Sequence, residues 1–96
     1  MIPVVALIKA KVGKEKMLET ILKTMVDPTR QEAGCIQYDL HRDQSDPRMF
    51  VFVEKWKSEK DLQAHLASAH IASAMARKEE FIESLEIRSL APLVAG

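Results

Sequence analysis

An α+β fold, with helices laid on one face of an antiparallel sheet, is predicted by three features of the sequence. Residues 2–11, IPVVALIKAK, carry an unbroken apolar run from Val4 to Ile8, the pattern of a strand buried on both sides. Residues 35–41 alternate, placing Ile36, Tyr38 and Leu40 on one face, and a β-branched and aromatic run over 49–57 follows a polar reversal at Asp43-Gln44-Ser45-Asp46-Pro47. That is a hairpin. Segments with apolar residues at helical spacing stand before and after it.

Taken in order, the first strand ends at Val12-Gly13, where the chain turns into a helix. Met17, Leu18, Ile21, Leu22 and Met25 form its inner stripe, against Lys14, Glu15, Lys16, Glu19, Thr20 and Lys23 outside. Pro28 has no N–H for the carbonyl four residues back, which predicts a break near Val26-Asp27. A further turn is expected through Arg30, ended by Gly34. After the hairpin, closed by Trp56, the sequence Ser58-Glu59-Lys60-Asp61 is a helix start, opening a helix over 58–67 that carries Leu62 and Leu66. Ser68-Ala69-His70 predicts a break, then a helical segment over 71–83 with Ile71, Met75, Phe81 and Ile82 inward. Residues 85–94, LEIRSLAPLV, read as extended, with Pro92 at an edge or irregular end. The resulting order, β-α-β-β-α-α-β, is ferredoxin-like with a split second crossover helix.

Length and composition narrow the function. The 96 residues make one domain over 1–96. Lys+Arg and Asp+Glu both number 14, and no basic cluster suggests a nucleic-acid partner. No apolar run approaches the ~20 residues that span a bilayer. A single cysteine excludes an internal disulfide, and with no signal segment at the N-terminus a cytoplasmic location is expected. Neither zinc-ligand spacing nor a glycine-rich phosphate loop occurs, so no metal site and no cofactor are expected.

The sheet has no polar face to offer water. The first strand has no polar face, and the third sets Met49, Val51 and Val53 opposite Phe50, Phe52 and Trp56. Burying one such side chain is worth ~1.5–3 kcal/mol, so the face left open by the helices is expected to pack on a second copy of the chain.

Pro28-Thr29-Arg30, Glu32-Ala33-Gly34-Cys35, Tyr38, Leu40, Asp46-Pro47, Phe50, Glu54-Lys55-Trp56 and the pair His65 and His70 form a further pattern. On these residues the chain resembles the antibiotic biosynthesis monooxygenase (ABM) superfamily, most closely its small quinol-monooxygenase-like members, from about residue 3 to residue 90. The resemblance implies a homodimer in which two sheets close a dimeric α+β barrel, with a pocket between sheet and helices in each subunit. It also implies oxygenation of a small electron-rich aromatic, a quinol or phenol, by O₂ without metal or flavin. Haem-degrading relatives use an Asn on the first strand; IPVVALIKAK has none, which disfavours that activity.

The candidate catalytic residues are His65, His70 and Asp61. His65 borders the apolar stripe of its helix, and Asp61, one turn earlier, is placed to accept from its ring. A histidine near its ordinary pKa of ~6.5 can take a proton from a phenol at neutral pH. A structural histidine bonded to a carbonyl is the competing reading. His70, at the helix break, is the second candidate base, or else a cap. Candidate substrate-binding residues are Trp56, as an aromatic wall or a packing residue, Tyr38, Phe52 and Leu66. His41 is expected in solvent, Cys35 as a small buried hydrophobe, and Glu54 in a structural hydrogen bond.

Three functions therefore stand open. The first is a cofactor-independent monooxygenase acting on a quinol. The second is an isomerase or other acid–base enzyme on a small carbonyl compound. The third is a non-catalytic dimeric ligand-binding or stress-response protein. Oxygen uptake with quinols, proton exchange into a carbonyl compound, and binding without turnover separate them.

Overall fold

Strand β1 (Ile2–Ala10) alternates down its length: Val4, Ala6, Ile8 and Ala10 are buried beneath the helices, while Pro3, Val5, Leu7 and Lys9 look to the other side. The computed structural model describes residues 1–94, so the last two positions of the expected domain lie outside it. β1 pairs antiparallel with β3 (Met49–Trp56) on one side and with β4 (Ile82–Ser89) on the other. β2 (Cys35–Arg42) pairs outside β3, giving a four-stranded sheet of order β2-β3-β1-β4. This is the expected ferredoxin-like arrangement. Its register sets Ala6 against Phe52 and Ile8 against Phe50 on the helix side, and Val5 against Val53 and Leu7 against Val51 on the open side.

Gly13, at φ +82°, supplies the left-handed turn into α1 (Glu15–Thr24). Helix α1 buries Leu18 and Leu22, stops at Met25, and α2 (Val26–Arg30) carries the chain one turn further, as Pro28 predicts. Gly34 has a second reason to be glycine: a Cβ there would stand 2.2 Å from Asp61, so the start of β2 and the next helix touch directly. That helix, α3 (Glu59–Leu66), is capped as expected, the Asp61 N–H donating to Ser58 Oγ.

Four expectations change. Ile36 does not share the face of Tyr38 and Leu40: the β2–β3 register slips by one residue between Cys35 and Gln37, and Ile36 is the extra residue, 51% exposed. Cys35, beside the slip, is half-buried rather than buried. The helix expected over 71–83 is two short ones, α4 (Ala69–Met75) and α5 (Lys78–Phe81), and the strand expected over 85–94 runs from Ile82 to Ser89. Ile82 pairs with Ala10, and the Lys11 N–H donates to the Phe81 carbonyl, so pairing with β1 takes these residues out of the helix.

The helices cover β1, β2 and β3 more fully than β4, whose Leu85 and Ile87 remain 41% and 44% exposed on the helix side. On the open side, Val5, Leu7, Val51 and Val53 form an apolar centre between Gln37 and Asp39 of β2 and Ser84, Glu86 and Arg88 of β4. No helix among the described residues is long and apolar enough to cross a membrane.

Candidate active site

Alternation along β3 carries a carboxylate into the core. Phe50, Phe52, Glu54 and Trp56 all point beneath the helices and all are buried. The Trp56 indole N–H donates to Glu54 Oε1 at 2.8 Å. Burial pushes the Glu54 carboxyl up to about 7, with the Trp56 bond working against that rise. Tyr38 faces Glu54 across the β2–β3 ladder and stacks on Phe52, ring centroids 4.5 Å apart. Burial, and then the nearby Glu54 charge, raise its phenol well above the usual range, so Tyr38 stays a neutral hydrogen-bonding hydroxyl.

His65 descends from α3 onto this aromatic floor. Its ring lies 4.5 Å from that of Trp56 and meets Tyr38 edge-on at 5.3 Å. Nδ1 is 2.8 Å from Oε2 of Glu32, in the turn between α2 and β2. That same oxygen is 2.9 Å from Nε2 of His70, in the first turn of α4. The direct contact of Gly34 with Asp61 brings the turn under α3, and the Glu32 carbonyl is fixed by the Cys35 N–H at 3.0 Å. Ser68 caps α4 and lies 3.2 Å from the His70 ring nitrogen. Burial lowers the His65 pKa from its ordinary value; the Glu32 carboxylate opposes this and His70 adds to it. At neutral pH His65 is an unprotonated base.

This geometry corrects two assignments. Asp61 does not orient His65: its carboxylate accepts from the Ser58 hydroxyl at 2.9 Å and packs on Gly34, and Glu32 takes the role expected of it. Trp56 is not a cavity wall. It is wholly buried, with His65 over its ring, and supports the histidine from behind. The other candidates come together: His65, Tyr38, Phe52 and Leu66 line one inner cavity, joined by Glu54 and by Leu85.

That inner cavity holds about 60 Å³, far below the ~300–1,000 Å³ of typical ligand pockets. A larger groove of about 640 Å³ runs between α1 and the α4–α5 segment, with Met17, Ile21 and Phe81 as apolar wall and Arg77 and His70 as polar wall. The Glu32 cluster therefore stands between two cavities, His65 on one and His70 on the other. Glu32, His65 and His70 are also the described group whose potential ligand atoms converge within 4.8 Å. Those same atoms stand 2.8 and 2.9 Å apart, a distance at which each ring can donate to the Glu32 carboxylate.

The model of the family described as antibiotic biosynthesis monooxygenase matches residues 1–77. The chain belongs to the antibiotic biosynthesis monooxygenase family. Among relatives, YcnE of Bacillus subtilis, which bears the name "putative monooxygenase", is 32% identical over 84 residues, 88% of each chain. An uncharacterised Synechocystis protein is 29% identical over 76 residues; there the chain spans about half, 47%, of the relative's length. A crystal structure from Pseudomonas aeruginosa shares the fold at TM-score 0.92 and 33% identity, covering 97% of this chain and 94% of that one. A monooxygenase-type function follows from membership of this ABM family.

Glu32 and Glu54 were not among the candidate site residues, although Glu54 makes the structural hydrogen bond expected of it. Glu32 lies 33 positions before His65, beyond any periodicity, and only its place in the family pattern marked it. Glu54 had a local signal: it continues the alternation of Phe50 and Phe52, which puts a carboxyl on a buried face.

Proposed function

We propose that this protein oxidises a quinol or related dihydroxy-aromatic with O₂, the substrate supplying the electrons, and that His65 is the base. The observation that carries this reading is the His65 ring: buried, held at Nδ1 by Glu32, without a hydrogen bond at Nε2 among the described residues, and lining a cavity with Tyr38, Phe52 and Leu66. Transfer of a phenolic proton to Nε2 leaves an electron-rich phenolate and an imidazolium balanced by Glu32. The phenolate gives one electron to O₂, the semiquinone and superoxide combine in a new C–O bond, and the peroxide loses water. Quinol plus O₂ becomes hydroxyquinone plus water. The protein's part is orientation, exclusion of water and one well-placed base.

Homodimerisation belongs to the same reading, supported by the apolar centre and polar rims of the open sheet face. A second reading keeps the chemistry and places the substrate in the outer groove with His70 as base; the groove's 640 Å³ favours it. The test is oxygen uptake with a panel of quinols after exhaustive chelation. On the first reading His65→Ala costs roughly 10²–10⁴ of the rate at neutral pH and His70→Ala little; on the second the two are reversed. Proton exchange into a carbonyl substrate without oxygen uptake would instead indicate an isomerase.

A further inference from the structure

One carboxylate oxygen serving two histidines has consequences beyond orienting a base. Glu32 Oε2 lies 2.8 Å from His65 Nδ1 and 2.9 Å from His70 Nε2, so both rings must turn an N–H toward it. The Ser68 hydroxyl donates to the His65 carbonyl at 2.7 Å, and its oxygen is left to accept from His70 as well. Both neutral tautomers are thereby fixed. His65 carries its proton on Nδ1 and bares Nε2; His70 carries its proton on Nε2 and bares Nδ1. His65 lines the inner cavity and His70 the outer groove.

We infer that Glu32 is the positioning residue of this site, locking His65 and His70 in opposite tautomers and making them one titrating unit with a bare imidazole nitrogen for each cavity. The inference rests on the reading of His65 as the base and extends it. A proton gained at His65 makes the cluster neutral overall, and a second proton at His70 then meets a carboxylate already balanced. Protonation on one side of the cluster is thus felt on the other. Ionisable groups around the cluster are Tyr38 and Cys35 on β2, Glu54 on β3 and Asp61 on α3, with Arg77 on the groove wall. None of them bonds to either ring, so among the described residues Glu32 is the side chain that joins the two.

The test is nitrogen-15 NMR of the histidine rings in the full chain, titrated from acid to alkaline pH. The expected wild-type spectrum shows His65 as the Nδ1–H tautomer, His70 as the Nε2–H tautomer, and each ring registering both protonation steps. Glu32→Gln should lower both midpoints together and mix the tautomers, and His70→Gln should raise the His65 midpoint. Independent single-step titrations, or a Glu32→Gln effect confined to one ring, would overturn the inference. So would stoichiometric zinc binding that shifts both rings, since that would make the cluster a metal site. Should Glu32→Gln fail to fold, the wild-type tautomers and coupled steps still decide. These signals need no turnover, so they stand or fall separately from oxygen uptake.

Discussion

Trp56 and Glu54 share the buried face of β3, and the indole N–H of one donates to the carboxylate of the other at 2.8 Å. The bond fixes Glu54 Oε1 and leaves the second oxygen for the inner cavity that Glu54 lines. A carboxyl raised from 4.5 to about 7 favours the folded state only while protonated. Its contribution is intact below 4.5 and is lost as pH rises through 7. Glu54→Gln keeps the acceptor for Trp56 and removes the charge. Urea unfolding should show no gain at pH ~4 and a gain of up to ~3 kcal/mol at pH ~8. An equal effect at both pH values would place Glu54 in a solvated setting.

Trp56→Phe removes the N–H and reshapes the support under His65. Because Trp56 is behind the histidine and not on the cavity wall, kcat should fall while KM stays nearly constant. Glu54 should titrate higher still, having lost the bond that favours its charged form. A rise in KM with kcat preserved would return Trp56 to the substrate-binding role.

Gly34→Ala tests the contact that delivers Glu32. A methyl group 2.2 Å from Asp61 forces β2 and α3 apart, at a cost of ~1–3 kcal/mol or more in stability. Activity should fall beyond what unfolding explains, since Glu32 moves with the turn. Asp61→Gly, which removes the Cβ along with the carboxylate, should restore part of the activity.

Sedimentation at micromolar concentration should give about twice the monomer mass of 10.8 kDa. Val53→Lys puts a charge at the apolar centre of the open sheet face and should yield monomer. A wild-type chain that sediments as monomer at every concentration would remove the barrel.

Local signals carried most of the fold. Alternation over 49–56, the serine cap before α3 and the proline after Met25 each act within a few residues, and each reads directly from sequence. The start of β4 does not, because Ile82 is a strand residue only through its pairing with Ala10. The site shows the same division. His65 declared itself by its helical position, whereas its partner Glu32 is brought in by tertiary packing. Asp61 had the right spacing for that task, but its N–H and carboxylate were already committed to Ser58, a bond the capping pattern itself announces.

If His65 takes the substrate proton, the pH dependence of kcat/KM for quinol-driven oxygen uptake follows the ionisation of its ring. In the wild type the rate should rise with pH as His65 loses its proton, with a midpoint below ~6.5 because burial lowers it. His65→Ala should lose roughly 10²–10⁴ of the rate and the step in the profile, the deficit narrowing at high pH where the quinol ionises unaided. A well-folded His65→Ala protein with the wild-type rate and profile would show that His65 is not the base.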